Sequence, residues 1–167
     1  TTSMDTDRGL ARQLPPPPEP DQKIDDIIIK ERNVLQVLLN SADQLMVGGE
    51  YIRVSDLRKR AKEFISNPYN DEKMPEKKAK DVPFFGNVMV TENHVISLLN
   101  DRGTTYQAYI DVQNELVAAY NELRNELSQE KWQKDYEALD EEQKKAVRQI
   151  YPQKISEAEP KNYGGKK

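Results

Sequence analysis

The sequence predicts an α+β fold, a two-layer sandwich in which a small mixed β-sheet carries helices packed on one face. Two observations predict it. β-rich runs at residues 33–40 and 44–47 are separated by a polar turn, which is typical of a hairpin. An apolar run at residues 95–99 stops at a polar glycine turn, residues 100–103, and a long amphipathic helical pattern follows. A buried strand that feeds a helix through a short turn is half of such a sandwich.

The composition fits one compact domain with solvated ends. Of the 167 residues, 36% are hydrophobic and 32% are charged, and the mean hydropathy is −0.90, which predicts a modest core. The net charge of −4 supplies no basic patch, so we expect no nucleic acid partner. The sequence has no cysteine, which excludes disulfides and thiolate chemistry. It also has no apolar run of the roughly 20 residues that a transmembrane helix needs.

Residues 1–26 are predicted to be an extended, proline-rich juxtamembrane linker. The four prolines at residues 15–18 favour polyproline II, which is an extended and semi-rigid conformation. Two interpretations fit this composition: a disordered tail, or a tether that holds the domain away from a membrane or a partner. The domain itself is predicted over residues 27–160, and a flexible tail over residues 161–167.

The first half of the domain is predicted to hold the hairpin, a third short strand and a helix. Residues 48–49 form a glycine turn, and residues 50–54 continue the strand pattern. Ser55 is the predicted N-cap of a helix that ends at Asn67, because the next residue is a proline. The apolar stripe of this helix consists of Leu57, Ala61, Phe64 and Ile65. Its basic side is predicted to be a solvated face and consists of Arg58, Lys59, Arg60 and Lys62.

Residues 67–92 are predicted to be a long surface loop inserted into the domain. This segment contains three prolines and several charged side chains, a composition typical of loops. Phe84 and Phe85 are expected to pin the loop to the core, and the alternative is an exposed contact patch.

The second half is predicted to be dominated by one long helix. Thr104 or Thr105 can cap it, and Thr104 with Gln107 has the spacing of a capping box. Residues 128–150 are predicted to be a helical extension in which Asp140 caps a short second helix. The core residues of that second helix are predicted to be Ala146, Val147 and Ile150. The long helix is expected to bury tyrosine rings and keep their hydroxyls in solvent, along a face of Tyr106, Tyr109, Ile110, Leu116, Val117, Tyr120, Leu123 and Leu127.

The sequence shows no catalytic or metal-binding motif, so we expect no enzyme activity, no metal and no cofactor. His94 is the single histidine and is predicted to be an incidental residue at a strand edge. There is no nucleophile elbow, Walker A loop or dinucleotide-binding loop. Asp101, in the turn before the long helix, is expected to accept from nearby backbone amides. The alternatives there are a buried ion pair and a small anion at the helix N-terminus.

Two segments of the chain, together with the order of its elements, resemble a known family. QVLLNSADQLMVGGEYIRVSDLRKR and VISLLNDRGTTYQAYIDVQNEL are similar to the periplasmic domain of ExbD/TolR biopolymer-transport proteins, and the resemblance covers about residues 33–155. Asp101, Tyr106 and Val112 match the family's apolar strand, aspartate, polar turn and tyrosine-containing helix. With the insertion at residues 67–92, the chain is similar to the longer ExbD proteins of Bacteroidetes.

The resemblance implies a single-pass protein of the bacterial inner membrane, with this part of the chain in the periplasm. The implied partners are a second copy in a homodimer, an ExbB-like pentameric motor and a TonB-like protein, which proton flow energises to support transport across the outer membrane. The family's proton-carrying aspartate lies in a membrane helix, expected upstream of Thr1. The TolR branch implies an alternative, envelope tethering with peptidoglycan binding. A generic structural interaction domain is the third reading.

The expected mode of partner binding is β-augmentation, in which a partner strand joins an exposed sheet edge. The candidate edges are residues 27–30, 33–40 and 153–158. The residues predicted to bind a partner there are Ile28, Val34, Leu35, Val37, Leu39 and Ile155.

Overall fold

The structure is a computed structural model that describes residues 30–157. The linker predicted over residues 1–26, Ile28 and the predicted tail lie outside this range. The strands are β1 (Val34–Leu39), β2 (Leu45–Val47), β3 (Glu50–Ile52), β4 (Lys78–Val82), β5 (Gly86–Val90), β6 (Val95–Asn100) and β7 (Ile155–Glu157). The helices are α1 (Leu57–Ser66), α2 (Tyr106–Trp132) and α3 (Glu141–Ile150).

The main sheet is mixed and has the strand order β3-β2-β1-β6-β7. β2 runs antiparallel to both β1 and β3, whereas β6 lies parallel to β1 and β7 lies parallel to β6. β4 and β5 form a separate antiparallel hairpin. The α+β class and the mixed sheet predicted from sequence are confirmed, as is the hairpin formed by the first two strands.

The main core lies between one face of this sheet and two helices. Alternate residues of β1 are buried, and the parallel register places Ile96 beside Leu35 and Leu98 beside Val37. The predicted stripe of α1 and the middle of α2 cover this face, with Leu57 and Leu116 fully buried. Every buried methylene here contributes about 0.8 kcal/mol, so this layer supplies most of the apolar stabilisation.

The ends of α1 differ in detail from the prediction. The Ser55 cap is wrong: Asp56 is the N-cap, it makes no side-chain capping bond, and a short 3₁₀ turn, Val54–Asp56, leads into the helix. The helix does end at Asn67, but this residue adopts the left-handed conformation, with φ 41° and ψ 62°, and not the extended one expected before proline. Three side-chain bonds hold it there: the buried Asn67 amide donates to Pro75 O at 2.8 Å and to Asp71 O at 3.2 Å, and its carbonyl accepts from Asp71 N at 2.8 Å.

Residues 67–92 are not a plain surface loop. They contain the β4–β5 hairpin, which packs its Val82 and Val90 side chains with Ala146 and Ile150 of α3 into a second, smaller core. The predicted core face of α3 is therefore confirmed, as is its Asp140 capping box. However, α3 rests on this hairpin, so only α1 and α2 cover the main sheet. The alternating strand pattern was hidden by the charged residues of β4.

The two phenylalanines at the hairpin turn divide the two predicted roles between them. Phe85 is half-buried against the second core, as pinning requires, whereas Phe84 is 50% exposed. Both rings meet Trp132 of α2 edge to face, with centroids 5.5 Å apart. Phe84 also has a φ of 71°, a conformation that a bulky residue adopts only under constraint.

The start of α2 is capped from two directions. Thr105 is the N-cap, and its hydroxyl accepts from Ala108 N, so the capping box predicted for Thr104 is wrong. Asp43, in the β1–β2 turn, accepts from both the amide and the hydroxyl of Thr105 at 3.0 Å. The carboxylate of Asp43 therefore takes the place of the small anion considered for this helix N-terminus. Tyr106, predicted to be buried, is 68% exposed because it lies on the outer side of this first turn.

Candidate partner-binding edges of the sheet

The strand at residues 33–40 was predicted to be an available edge, and this placement is wrong. β1 is bonded to β6 along its whole length and to β2 over its second half. The side chains of Leu35, Val37 and Leu39 lie in the main core, and Val34 is half-buried on the opposite face. Its backbone has β6 on one side and, from Val37 to Leu39, β2 on the other, so β1 lies inside the sheet and is not an edge.

β7 is an edge of the main sheet within residues 30–157, as predicted for Ile155. Its register places Ile155 beside Ile96 and Glu157 beside Leu98 of β6. Lys154 O accepts from Ile96 N at 2.9 Å, so the alternation of a parallel ladder directs the backbone groups of Lys154 and Ser156 towards β6. The N–H and C=O groups of Ile155 and Glu157 consequently point to the open side.

β7 is short, and side chains from the helix layer hold it in place. Glu157 accepts a hydrogen bond from the Gln113 amide of α2. Lys154 donates its ammonium to Glu92 O and its backbone N–H to the Tyr120 hydroxyl, the latter at 3.2 Å. Just before the strand, the Arg124 guanidinium donates twice to Tyr151 O, at 3.0 and 2.8 Å. The position of this edge therefore depends on α2 as much as on β6.

β3 is the opposite edge, which the sequence reasoning missed. Gly48 and Gly49 form the two-residue turn between β2 and β3, and both have positive φ as a type I′ turn requires. In such a hairpin Tyr51 faces Met46 as a non-hydrogen-bonded pair, so its backbone groups point outward. The Tyr51 side chain is 63% exposed. The Gly-Gly turn indicated a hairpin from β2 to β3, but the edge position of β3 follows only from the strand order.

His94 is not incidental, because its ring is fully buried at the centre of a hydrogen-bond network. Its Nδ1 lies 2.6 Å from Thr91 O and its Nε2 lies 2.6 Å from the Tyr120 hydroxyl. Burial lowers the pKa of His94 to about 4, and the positive charge of Lys154 acts in the same direction. Burial also raises the pKa of the Tyr120 hydroxyl. This hydroxyl was predicted to lie in solvent, and that prediction is wrong, because it is buried and hydrogen-bonded to His94.

The α1–α2 groove is occupied by ion pairs of this chain, which corrects the prediction of a solvated basic face on α1. Arg58 contacts Glu115 at 2.9 Å and Glu122 at 2.6 Å, and Lys62 contacts Glu122 at 3.1 Å and Glu126 at 2.6 Å. These bonds raise the pKa of Arg58 and lower the pKa of Glu122. The groove, about 640 Å³ in volume, is thus lined by charges that neutralise one another.

No cluster of three or more histidine, cysteine or carboxylate side chains with metal-binding geometry lies in residues 30–157. Within that range, no helix combines the length and the apolar character needed to cross a bilayer. The fold is a small α+β module, and the two described edges of its main sheet carry outward-facing backbone donors and acceptors.

Comparison with known proteins assigns this module to a family. A family model described as "Biopolymer transport protein ExbD/TolR" matches residues 1–131. The chain therefore belongs to the ExbD/TolR family, and membership gives it an accessory role in biopolymer transport. No curated protein matches the chain. The matched range includes β1 to β6 and nearly all of α2, whereas α3 and β7 follow it.

The family is a non-enzymatic transport accessory family that is generally membrane-anchored and works with ExbB-type and TonB-type partners. The residues that carried the sequence resemblance have structural roles here. Asp101 N donates to Leu39 O at 2.9 Å and so extends the β1–β6 pairing. Tyr106 is the first residue of α2, and Val112 of the same helix is fully buried in the main core. This segment is scaffold that orients the sheet edges.

Proposed function

We propose that this chain is the periplasmic domain of an ExbD-like accessory subunit in the proton-motive-force-driven TonB system, and that it engages a TonB-like protein through the β7 edge. The observation that carries the proposal is the β7 strand itself. Among residues 30–157 it is an edge strand, and the backbone groups of its Ile155 and Glu157 point away from β6. Family membership supports the wider role in transport across the outer membrane.

The mechanism of engagement is β-augmentation. An extended TonB segment adds to β7, its backbone pairs with the outward N–H and C=O groups of Ile155 and Glu157, and side-chain pockets set the register. β6 extends further than β7, because the β7 pairing covers only Ile96 to Leu98 and β6 continues to Asn100.

β7 is favoured over β3 for this role. β3 directs the backbone of only one residue, Tyr51, outward, and its neighbours Glu50 and Arg53 are strongly exposed charges. Short, charged edges are the usual means by which proteins prevent strand addition. β7 directs the backbone of two residues outward, and the charged side chains of Lys154 and Glu157 are bonded to Glu92 O and to Gln113.

The remaining parts of the proposal come from the family. The protein acts as a homodimer beside an ExbB-like pentameric motor, anchored in the inner membrane by a single helix, with the domain held in the periplasm. Proton flow through the motor energises the TonB-like partner. The domain contributes the docking edge and pairs with a second copy of itself. Residues 30–157 take no part in proton transfer across the membrane.

The experiment is an NMR titration of the domain with a peptide from a TonB periplasmic region. We expect the Ile155 and Glu157 amides to shift and to become protected from exchange, while the Tyr51 amide is unchanged. Unshifted β7 amides at saturating peptide would refute the proposed edge. A matched pair of proline variants sharpens the result: Ile155→Pro removes an outward N–H from β7 and Tyr51→Pro removes one from β3, so only the first should abolish binding.

The TolR-like role is tested in parallel by retention of the purified domain on isolated peptidoglycan. Retention without binding of the TonB peptide would favour envelope tethering and count against the proposal. Binding of the peptide without retention on peptidoglycan would support it. Failure of both would leave the family role without either named partner and would refute the proposed mode of engagement.

A further inference from the structure

Two fully buried titratable groups of the described chain, His94 and Tyr120, lie behind the β7 edge. His94 occupies the turn that leads into β6, and residues of that turn, of α1 and of α2 meet around its ring. Thr91 O contacts Nδ1, Tyr120 of α2 contacts Nε2, and Phe64 of α1 packs edge to face with centroids 6.2 Å apart. The Tyr120 hydroxyl then reaches Lys154, the residue that begins the β7 ladder.

The hydrogen-bond chain is complete only when the imidazole is neutral. Thr91 O is a carbonyl and can only accept, so Nδ1 must carry a proton and donate. In the neutral ring Nε2 then accepts from the Tyr120 hydroxyl, and the oxygen of that hydroxyl accepts from Lys154 N. Each donor in this chain has one acceptor, and the direction of every bond is fixed by the carbonyl at one end.

A second proton on the ring breaks this chain. With Nε2 protonated, both ring nitrogens donate, and the Tyr120 hydroxyl can no longer donate to the ring. The hydroxyl proton must then turn towards the Lys154 N–H, which is itself a donor. The buried imidazolium also lies near the Lys154 ammonium, and two positive charges in a poorly hydrated site repel.

The charged groups around the network offer the imidazolium no partner. The ammonium of Lys154 is turned to Glu92 O, and the Glu92 carboxylate pairs with Lys80 at 3.4 Å. From α2 the nearest charge to Tyr120 is the Arg124 guanidinium, which is also positive. From α1 the ring meets only the aromatic face of Phe64 and, through Thr91, the carbonyl of Ile65.

We propose that His94 is a proton-binding site that controls how firmly β7 is held on the sheet, so that proton uptake at Nε2 releases Lys154 and lets the edge strand leave β6. Besides the Tyr120 bond, this part of the chain is anchored by Arg124 at Tyr151 O, by Glu92 O at the Lys154 ammonium and by Gln113 at Glu157. The loss of the Tyr120 bond removes the anchor at the start of the β7 ladder. Departure of β7 exposes His94 to water and leaves the edge of β6 open. This inference rests on the fold alone and does not require the TonB-like partner.

The test is amide hydrogen exchange of the domain at pH 7 and pH 4.5, corrected for the intrinsic exchange rate. The Ile96 amide reports β7, because it donates to Lys154 O, and the Gly48 amide on the other side of the sheet is the control. With a ring pKa near 4 in the closed state and about 6.5 in the open state, linkage predicts a roughly 50-fold increase in opening at Ile96. Exchange at Gly48 should stay unchanged.

Two variants separate His94 from other acid-sensitive groups. His94→Gln keeps a neutral side chain with a donor and an acceptor, so the pH effect at Ile96 should disappear. Glu157→Gln keeps the bond to Gln113 while removing the only carboxylate of β7, so the pH effect should persist. The proposal is overturned if the effect survives in His94→Gln, if it vanishes in Glu157→Gln, or if Gly48 opens together with Ile96.

A measurement on the unmodified protein covers the case in which His94→Gln does not fold. The ring nitrogen shifts of His94 give its tautomer and its midpoint of protonation directly. We expect Nδ1–H with an unprotonated Nε2 at neutral pH, and a protonation midpoint that coincides with the rise in exchange at Ile96. A different tautomer, or midpoints separated by more than about one pH unit, would contradict the proposed control of β7 by His94.

Discussion

The carboxylate of Asp43 caps the helix that begins at Tyr106, although 62 residues separate Asp43 from its contact Thr105. Its two oxygens accept from the amide and the hydroxyl of Thr105 at 3.0 Å each. The first sheet turn and the start of α2 are thereby fixed to each other, and a negative charge lies at the positive end of the helix dipole.

The first prediction concerns this cap. Asp43→Ala should lower the free energy of unfolding by about 1–2 kcal/mol, because it removes both acceptors and places a Cβ-bearing residue at φ 60° without a polar side chain. Asp43→Asn keeps an acceptor and tolerates this backbone conformation, so it should cost clearly less. Urea denaturation at pH 7 measures both, and equal losses for the two variants would contradict the capping role.

The ion pairs between α1 and α2 lead to a second prediction. Hydrogen bonds from Arg58 and then Lys62 lower the pKa of Glu122, so this carboxylate stabilises the fold above its unfolded pKa and loses that contribution as the pH falls below it. Because Glu122 is 39% exposed, Glu122→Gln should cost less than about 1 kcal/mol at pH 7.

The cost should shrink in 1 M NaCl, and it should also shrink as the pH falls through the lowered pKa of Glu122 in the folded state. Lys59→Ala, on the exposed side of α1, is the matched control and should be close to neutral. A double-mutant cycle of Arg58→Ala with Glu122→Gln measures the coupling directly. A coupling energy that is the same in low and high salt would show that packing and not charge joins the two helices.

The third prediction follows from the buried histidine. The pKa of His94 is about 4 in the folded state and 6.5 in the unfolded state, so the unfolded state binds the extra proton first as the pH falls. The His94 contribution is therefore complete above pH 6.5 and is lost towards pH 4. From pH 7.5 to pH 5 the free energy of unfolding should drop by about 2 kcal/mol through this residue.

Urea titrations of the native domain and of His94→Gln at the two pH values isolate the contribution of His94 to this drop in the free energy of unfolding. The native domain should show the larger drop, and the difference between the two drops is the histidine contribution. Parallel pH profiles for the two proteins would rule out His94 as its source.

A fourth prediction concerns the strained turn of the β4–β5 hairpin. Phe84→Gly relieves a left-handed conformation worth about 1–2 kcal/mol while losing one half-exposed ring contact of about 1 kcal/mol, so the net change should be within about 1 kcal/mol of zero. Phe85→Ala empties part of the second core without relieving strain and should cost about 2 kcal/mol. Denaturation followed by fluorescence of Trp132, the one tryptophan of the sequence, compares them.

Periodic patterns account for what could be predicted. The stripe of Leu57, Ala61, Phe64 and Ile65 was predicted correctly because each residue obeys the same 3.6-residue repeat. The cap at Asp140 was predicted correctly because a capping box depends only on four consecutive residues, here Asp140 to Gln143. The β4–β5 hairpin was missed because its burial is confined to the ends of two charged strands, where alternation is weak.

The candidate sheet edges show more clearly what could not be predicted from the sequence. Residues 33–40 were recognised as a strand, but their place at the centre of the sheet depends on β6, which begins 61 positions after Val34. Pairing between distant strands leaves no local signal in either of them. Ile155 was placed correctly, yet the backbone direction that makes it a docking candidate follows from its register with Ile96.

The sequence by itself determined the α+β class, the family resemblance and the identity of most helices and strands, because these depend on local periodicity and on short motifs. Only the tertiary structure decided which strands are edges, that His94 is buried between Thr91 and Tyr120, and that Asp43 caps α2. The physical reason is the same in each case: burial and hydrogen-bond partners are set by contacts between segments that are far apart in the chain.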